Sequence, residues 1–421
     1  MSSTNESVPT VPFFSMRDNL QKFIKAGRKA LYDDDNASLA LELFKKAYQY
    51  SCRIPDAQVQ RICLFNLGAA YIAAGKAKKG LKCLVKSKWK DSREHDGDLY
   101  FNIANAYDEM KEYFKAVTFY NKAVRTYNIQ EISSIADAQI KLSYCYKNTG
   151  DLVSAVHTFR LASESYQRAQ KAEDATMAMG EAMNCMKQSQ HFSRNEMLKV
   201  LNECLQLCKQ VKNSNIQEKL YNDIGLHYVE MKFFRQAEEC FTYSFSSCKR
   251  DAVNAQKTAV LLQNLGAVYN ALHQYEKSLK CHAEAMEIYG ALGKTKSQGH
   301  CLYNFAYAYS QLENYNMAAF YYQQALQTFE DIGDFCGQGR VCEGLGATMF
   351  YLGNMDQAIS CYKQAMNAFK KSKEPSARHL QRIVGKLRNV IDYKLRQKFD
   401  NMPRDDNTMN NSKCEFLSLT P

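Results

Sequence analysis

The chain has 421 residues, of which 46% are hydrophobic, so it is long enough for a large core or for an extended repeat array. Only 6 prolines and 19 glycines occur, which excludes collagen-like, low-complexity and turn-rich all-β chains. The net charge of +11 is moderate for this length and does not indicate nucleic acid as a partner. No stretch approaches the roughly 18 apolar residues of a membrane span, and the polar first residues do not resemble a secretory signal peptide.

The 15 cysteines are odd in number, scattered along the chain and without a CxxC pair. The closest two, Cys204 and Cys208, are one helical turn apart. This pattern is unlike a disulfide framework or a zinc site. We therefore expect reduced, mostly buried cysteines in a cytoplasmic protein that holds no metal.

In chain order, residues 1–17 form a polar segment that we predict to be a disordered N-terminal tail, and a repeated pattern follows it. In each copy an apolar residue precedes a small residue, and an aromatic residue or Met lies three positions after the small one. The spacing between copies averages about 40 residues. The copies begin at Leu67, Ile103, Leu142, Ile224, Leu265, Phe305 and Leu345, with a weaker copy at Met179.

A second pattern of small, aromatic and small residues follows about 12 residues later, as in Ala116, Tyr120 and Ala123. Residues three and four positions apart share one face of a helix, so each repeat predicts two antiparallel helices that approach closely at the small residues. One such helix pair cannot bury its apolar face alone, whereas stacked pairs can. The repeats therefore predict a solenoid with a concave face.

These residues resemble the tetratricopeptide repeat (TPR) family over residues 18–373, in about nine copies, with the weak fifth copy at about 173–213. The family's opening tryptophan and closing proline are absent, and the period exceeds the family's usual value of about 34 residues. The long period is similar to that of LGN/Pins-type proteins. The resemblance implies an all-α TPR superhelical solenoid of about nine antiparallel helix pairs with a C-terminal capping helix. The weak fifth repeat is a candidate hinge.

Residues 374–399 predict one further helix with an apolar stripe and many basic residues, which we interpret as the capping helix. The alternative interpretation is a basic helix that binds a membrane surface or a partner protein. Residues 400–421 are rich in Asn, Asp and Ser, and we predict a disordered C-terminal tail there.

The resemblance implies that a ligand lies in the concave groove, which the first helix of each pair lines. The position before the apolar residue should face this groove, and asparagine recurs there. An Asn side chain both donates and accepts hydrogen bonds, so it can hold the amide groups of a peptide. Alternatively, these side chains bond neighbouring helices or water. The predicted peptide-binding residues are Asn66, Asn102, Asn105, Asp223, Asn264 and Asn304.

Aromatic residues at other groove positions are candidate anchors for a partner: Phe65, Phe101, Tyr144, Tyr303 and Tyr307. The charged residues predicted near the groove are of mixed sign. They are the acidic Asp98, Asp108, Glu109 and Asp137 and the basic Lys141, Lys147, Lys219 and Arg340. The lysines and asparagines with which co-chaperone TPR proteins bind the C-terminal carboxylate of a heat-shock protein are not reproduced at the matching positions.

A basic run from Lys76 to Lys90, with Trp89 inside it, falls on the second helix of the second repeat and hence on the convex side. A solvated lysine face explains this run, and the functional alternatives are an acidic partner or an anionic surface. The aromatic residues are not interleaved with arginine as in nucleic-acid-binding proteins, so we expect no nucleic-acid partner. The eight histidines are dispersed, and we interpret His227 and His282 as packing residues.

No hydrolase, metalloprotease or nucleotide-binding motif occurs. We therefore predict a cytoplasmic, non-catalytic interaction adaptor or scaffold without a cofactor, which binds an extended or helical segment of another protein. One alternative is an LGN-like adaptor in polarity or G-protein signalling, although the short tail lacks the Gα-binding motifs of those relatives. Another is a self-associating structural array. An enzyme similar to response-regulator phosphatases would need a catalytic glutamine or acid, and no residue is singled out for that role.

Overall fold

The computed structural model describes residues 13–88, 96–189, 191–248, 253–372 and 377–400. Within these ranges the chain forms 19 α-helices and no β-strand, as the helical spacing of both repeated patterns predicts. The helices are α1 (Phe13–Tyr32), α2 (Ala37–Ser51), α3 (Ala57–Ala73), α4 (Ala77–Ser87), α5 (Asp96–Glu109), α6 (Tyr113–Thr126), α7 (Ile132–Thr149), α8 (Leu152–Arg168), α9 (Ala172–Gln188), α10 (Arg194–Cys208), α11 (Ser214–Glu230), α12 (Phe234–Ser247), α13 (Ala255–Ala271), α14 (Tyr275–Ala291), α15 (Thr295–Gln311), α16 (Tyr315–Asp331), α17 (Phe335–Tyr351), α18 (Met355–Lys371) and α19 (Ala377–Asp400).

The two ends of the array differ slightly from the predicted boundaries. Helix α1 begins at Phe13, inside the segment for which a disordered tail is predicted, and α19 ends at Asp400. The predicted tails otherwise comprise residues 1–12 and 401–421, which lie outside the described residues.

The helices divide into two compact units, Met1–Met231 and Lys232–Pro421. The first unit contains the pairs α1/α2, α3/α4, α5/α6, α7/α8 and α9/α10, followed by α11. The second contains α12, the pairs α13/α14, α15/α16 and α17/α18, and α19, which packs against α18 as a capping helix does. Paired helices in both units confirm the predicted all-α solenoid of antiparallel helix pairs. The boundary between the units lies between α11 and α12, one helix beyond the weak fifth repeat, whose helices α9 and α10 pack on each other.

Close helix contact within several pairs depends on glycines of the first pattern. A Cβ atom on Gly68 would lie 2.8 Å from the Leu84 side chain, and one on Gly346 would lie 3.0 Å from the Tyr362 ring. The large residues of the second pattern fill the space beside these contacts, and Tyr120 is completely buried there. Both patterns are therefore packing signals that set the distance between the two helices of a pair.

The turns between helices repeatedly use one residue in the left-handed backbone region. Glycine occupies it at Gly75 (φ 71°), Gly150 (φ 84°) and Gly353 (φ 80°), where the absent Cβ atom removes the steric cost. Lys111 and His273 adopt it at φ 59°. The repeat thus keeps the same turn geometry where glycine is lacking, at a local cost of about 1 kcal/mol per residue.

The cysteines follow the prediction of reduced, buried side chains. All 14 cysteines within the described ranges are free, and 10 of these are buried. Burial raises the pKa of Cys63 to about 11 and the pKa of Cys301 to about 12. None of the helices in these ranges combines the length and hydropathy that crossing a bilayer requires.

We expect Gly80→Ala to destabilise the first unit by about 2 kcal/mol, because overpacking outweighs the better helix propensity of alanine. A Cβ atom at Gly80 would lie 2.7 Å from the carbonyl oxygen of Gly68 and 2.6 Å from the Ile72 side chain. Urea denaturation measures the change. Gly180→Ala is the matched control, since no atom lies within 4 Å of that Cβ position and the substitution should stabilise α9 by up to about 1 kcal/mol. Equal stability of the two variants would contradict the expectation.

His282 occupies the aromatic position of its repeat and is fully buried against Gly266. Burial lowers the pKa of His282 to about 4, and the Gly266 backbone offsets only part of this effect. The ordinary pKa of about 6.5 applies in the unfolded chain, so protonation favours unfolding. Stability from the neutral ring is therefore present above about pH 6.5 and lost as the pH falls towards 4.

We expect the free energy of unfolding to fall by about 3 kcal/mol more in the wild type than in His282→Phe between pH 7 and pH 4. Phenylalanine stands at the equivalent aromatic position in other repeats, as at Phe159 and Phe241. Urea denaturation at a series of pH values measures the difference. The same pH dependence in both proteins would mean that His282 is not a buried neutral group.

Candidate functional site

The candidate site is the surface formed by the exposed positions of the odd-numbered helices α3 to α17, which we call the first-helix face. Successive odd-numbered helices lie directly against each other within a unit, as α3 does with α5 and α13 with α15. The even-numbered helices mainly contact the odd-numbered helices before and after them. The first-helix face is therefore the inner side of each unit, and it corresponds to the predicted groove.

Asparagines at the equivalent position of four odd-numbered helices stand at the edge of the core. Asn66 on α3 and Asn102 on α5 belong to the first unit, and Asn264 on α13 and Asn304 on α15 belong to the second. Each directly precedes a buried apolar residue, and all four are half-buried. The fold therefore presents the same amide at the same depth in four repeats.

The four asparagines differ in their hydrogen bonds. The Asn102 Nδ2 atom donates to the Asp98 carbonyl oxygen of its own helix at 2.9 Å, and Asn264 interacts with another residue of the chain. Among the described residues, neither the Asn66 side chain nor that of Asn304 has a hydrogen-bond partner. These two amides are available to a ligand, whereas the Asn102 oxygen alone is available at its position.

Asn105 has a structural hydrogen bond. The hydroxyl group of Tyr120 on α6 donates to the Asn105 Oδ1 atom at 2.5 Å, which ties the two helices of the repeat together. A second amide, that of Asn270, donates from Nδ2 to the carbonyl oxygen of Asn304 at 3.1 Å and links α13 to α15. These contacts match the alternative interpretation in which asparagines bond neighbouring helices.

Two acids predicted near the groove are hydrogen-bonded by tyrosines within the first unit. The Tyr127 hydroxyl donates to Asp98, and the Tyr166 hydroxyl donates to Asp137, both at 2.8 Å. In each case the tyrosine follows the acid by 29 residues, so the arrangement is a repeated one. Burial and the neighbouring carboxylates raise the pKa of both tyrosines, which therefore remain hydrogen-bond donors. Each of these two carboxylates near the predicted groove therefore already has a hydrogen-bond partner inside the chain.

The aromatic anchors predicted in the first unit differ in how much of each side chain is accessible. Phe65 packs beside the buried Leu84, and the Phe101 ring lies 5.7 Å from that of Tyr120, so both mainly belong to the core. Tyr144 is 40% exposed while its ring edge meets Phe159 at 5.1 Å. Of these three residues, Tyr144 offers the largest surface to a ligand.

In the second unit, Tyr303 on α15 packs against the core with its ring 5.9 Å from that of Tyr322, and Tyr307, Arg340 and Glu343 are its electrostatic neighbours. Burial, together with the Glu343 carboxylate, raises the pKa of Tyr303, and partial burial raises that of Tyr307. Both phenols therefore stay neutral. Arg340 is exposed, and no carboxylate in the described ranges pairs with it. This end of the face combines two tyrosines, the Asn304 amide and one guanidinium group.

Glu343 is the buried charge of this region. Burial opposes its ionisation, but ion pairs with Arg382 at 2.7 Å and Lys386 at 3.0 Å lower the pKa of Glu343 overall. Both basic residues lie on α19, so the ion pairs fix the capping helix to α17. The sequence patterns gave no signal for this contact.

Asp223 on α11 is exposed, as a groove position requires. Partial burial of the carboxylate raises the pKa of Asp223, although the Lys219 charge and the hydrogen bond from the Asn222 amide oppose this shift. On α7, Lys147 donates to Glu181 of α9 at 2.8 Å, which removes one of the predicted groove cations by internal pairing. Charges of both signs are thus present and partly neutralised in the first unit.

The basic run maps onto α4, where Lys78, Lys79, Lys82 and Lys86 are exposed on the face opposite the buried residues. Residues 13–88 contain fifteen basic and six acidic side chains, so most of the net charge lies in the first four helices. Trp89 and Lys90 lie outside the described residues. In the part of the chain that is described, no three His, Cys, Asp or Glu side chains come together as a metal site would need.

Tyrosine hydroxyl groups that bond the neighbouring helix were missed by sequence reasoning. Besides the bond to Asn105, Tyr228 donates to Asn202 at 2.7 Å and Tyr289 donates to Gln263 at 2.9 Å. Both pairs are 26 residues apart. The Tyr120–Asn105 pair is 15 residues apart, so no single spacing identifies these bonds in the sequence.

Two family profiles, both described as tetratricopeptide repeat, match the chain at residues 97–128 and 257–331. The first match covers the pair α5/α6, and the second covers the pairs α13/α14 and α15/α16. The matched segments therefore lie in both compact units, and each match consists of whole helix pairs.

Two solved structures are similar to this chain at low sequence identity. The apo form of RapI is 12% identical, with 85% of this chain and 98% of that chain covered at a TM-score of 0.53. A signal-transduction ATPase with a tetratricopeptide-repeat sensor from Pyrococcus horikoshii is 14% identical, with 94% and 68% covered at a TM-score of 0.45. The likeness to RapI concerns the fold alone.

We expect Asn105→Ala to lower the free energy of unfolding by about 1–2 kcal/mol, because it leaves the hydroxyl group of Tyr120 without an acceptor. Asn66→Ala is the matched control in the same unit, and it should change stability by less than about 0.5 kcal/mol, since no internal hydrogen bond is lost. Urea denaturation of both variants measures the difference. If Asn66→Ala were as destabilising as Asn105→Ala, the Asn66 amide would have a structural role.

Proposed function

The chain is built of tetratricopeptide repeats, and from this premise we propose that it is a non-catalytic cytoplasmic adaptor that binds a peptide segment of another protein on its first-helix face. The observation that carries the proposal is the recurrence of a half-buried asparagine at one position of four repeats. Packing explains why the neighbouring residues are apolar, but it does not require an amide at the edge of the core. Binding of a peptide that contacts neighbouring repeats would explain why an amide recurs at this position.

Asparagine suits the main chain of a peptide, because its side chain offers one carbonyl acceptor and one amino donor at the same point. In the proposed complexes, Asn66 in the first unit and Asn304 in the second unit each accept from and donate to the backbone of a bound peptide. Asn102 contributes its oxygen and the second hydrogen of its amino group, since the first already donates within α5. Such contacts hold a backbone with little demand on the ligand's side chains, which the anchors then select.

Selection of side chains falls to the aromatic and charged residues between the asparagines. Tyr144 in the first unit offers an exposed aromatic surface, and in the second unit Tyr303, Tyr307 and Arg340 surround the Asn304 position. Tyrosine and arginine carry much of the binding energy in protein interfaces, because they combine apolar area with directional hydrogen bonds. Phe65 and Phe101 support the site from the core rather than as anchors.

The buried groups of the chain favour binding over catalysis. Burial raises the pKa of Cys208 and of Cys342 to about 12, so neither thiol is an activated nucleophile. His282 is neutral and enclosed, and therefore cannot exchange protons with a substrate. A scaffold that presents repeated amides has no need for such groups.

The test compares proteins captured by the full-length wild type with those captured by a variant in which Asn66, Asn102, Asn264 and Asn304 are all alanine. Proximity labelling in cells, followed by pull-down of individual candidates, measures capture. We expect the quadruple variant to lose specific partners at least about tenfold, because each unit loses both of its asparagine contacts to a peptide backbone. Circular dichroism and thermal melting confirm that both proteins are folded.

A matched control changes exposed asparagines on second helices: Asn195 of α10, Asn316 of α16 and Asn367 of α18. This control should retain every partner. An identical partner set for the wild type and the quadruple variant would show that the asparagines have no part in binding. Loss of the same partners in the control would point to a different surface.

A further inference from the structure

The last helix has one face that the array leaves uncovered. In α19, Ile383 is completely buried and Val390 is 4% exposed, whereas Val384, Ile391 and Leu395 are 41%, 37% and 48% exposed. The three exposed residues are spaced by seven and four positions, so they form one stripe along the helix. It extends over about 16 Å from Val384 to Leu395 at 1.5 Å per residue.

The packing of α19 is that of the first helix of a repeat. In α17, Gly337 lies against Phe329 of the preceding helix, and the fully buried Val341 lies one turn later on the same face. In α19, His379 lies 5.1 Å from Phe369 of the preceding helix, and Ile383 lies one turn later. Both helices therefore turn the same face towards the pair that precedes them.

This register shows which face of α19 would meet a second helix. In α17, Cys342 and Met349 are 3% and 7% exposed on the side where Gly346 meets Tyr362 of α18. The corresponding positions of α19 are Val384 and Ile391. The exposed stripe is thus the surface that a first helix normally buries against its own second helix.

Arg388 stands at the position of Gly346 in this register, in the middle of the stripe. It is exposed, and no acid in the described ranges pairs with it. Three other basic residues of α19 have acidic partners, since Arg382 and Lys386 share Glu343 and Lys394 pairs with Asp356. The uncovered face therefore has an apolar stripe with one unpaired positive charge at its centre.

We propose that the α19 face binds an acidic amphipathic helix of a partner protein, which takes the place of the missing second helix. Its apolar residues contact Val384, Ile391 and Leu395, and a carboxylate pairs with Arg388. A second copy of this chain is a poor occupant, because antiparallel packing of two such stripes would place Arg388 beside the Arg388 of the other copy. This surface is separate from the first-helix face and does not depend on the asparagines.

The test titrates the full-length protein into a fluorescent synthetic peptide of about 18 residues, long enough to span the stripe. The peptide carries leucine at positions i, i+4, i+7 and i+11 and glutamate at most other positions. A second peptide carries lysine in place of every glutamate. We expect the glutamate peptide to bind with micromolar affinity at about 0.15 M salt, and the lysine peptide to bind at least about tenfold more weakly.

Substitutions locate the binding. Ile391→Glu should weaken the glutamate peptide at least about tenfold, and Arg388→Glu should reverse the preference between the two peptides. Matched controls on α4, Val85→Glu and Lys82→Glu, alter an exposed apolar and an exposed basic residue elsewhere and should leave affinity unchanged. All four positions are exposed, so thermal melting should be the same as in the wild type.

Three results would overturn the proposal. The first is absence of binding by the wild type, as expected if the chain covers this face with its own residues. The second is equal binding by wild type and Ile391→Glu, or equal affinity for the two peptides. The third is a dimer in light scattering that Ile391→Glu converts to a monomer, because a second copy would then occupy the face.

Discussion

Contact between a small residue on one helix and a large side chain on the next sets the spacing of the helix pairs α3/α4, α13/α14 and α17/α18. Gly68 meets Leu84, Gly266 meets His282 and Gly346 meets Tyr362, each within a distance that excludes a Cβ atom or strains it. Because the contact occupies the same position in these repeats, it fixes both the spacing within a pair and the orientation of its first helix. Side chains one position before the buried apolar residue then point to the same side in successive repeats.

A regular backbone does not make the side-chain environment regular. Asn102 and Asn105 share one helix, but Asn105 accepts a hydrogen bond from Tyr120, while no donor within the described ranges reaches the Asn102 oxygen. Tyrosines likewise bond Asp98 and Asp137 in the first unit and the Gln263 amide in the second. Identical positions in a repeat can therefore differ in whether they maintain the fold or remain available to a ligand.

The sequence was sufficient for the helices, their pairing and the capping helix, because those depend on the spacing of small and aromatic residues. The sequence was less informative about contacts between residues that are far apart along the chain. Glu343 pairs with Arg382 and Lys386, which lie about 40 residues away. The spacing of residues in the sequence does not predict an ion pair between helices that are not consecutive. Asp98 and Asp137 are exposed, but the sequence did not predict the tyrosine hydroxyl groups that bond them. The similarity of the long period to LGN/Pins-type repeats stays a prediction.

The burial of the cysteines has a consequence for how the protein tolerates oxidants. Peroxides and disulfides react with the thiolate, and a thiol whose pKa is about 12, such as that of Cys301, is almost entirely protonated at neutral pH. Folding thus protects most thiols of a cysteine-rich chain even without a reducing environment. Loss of oxidation resistance would therefore be an early sign that a helix pair has opened, before helicity itself declines.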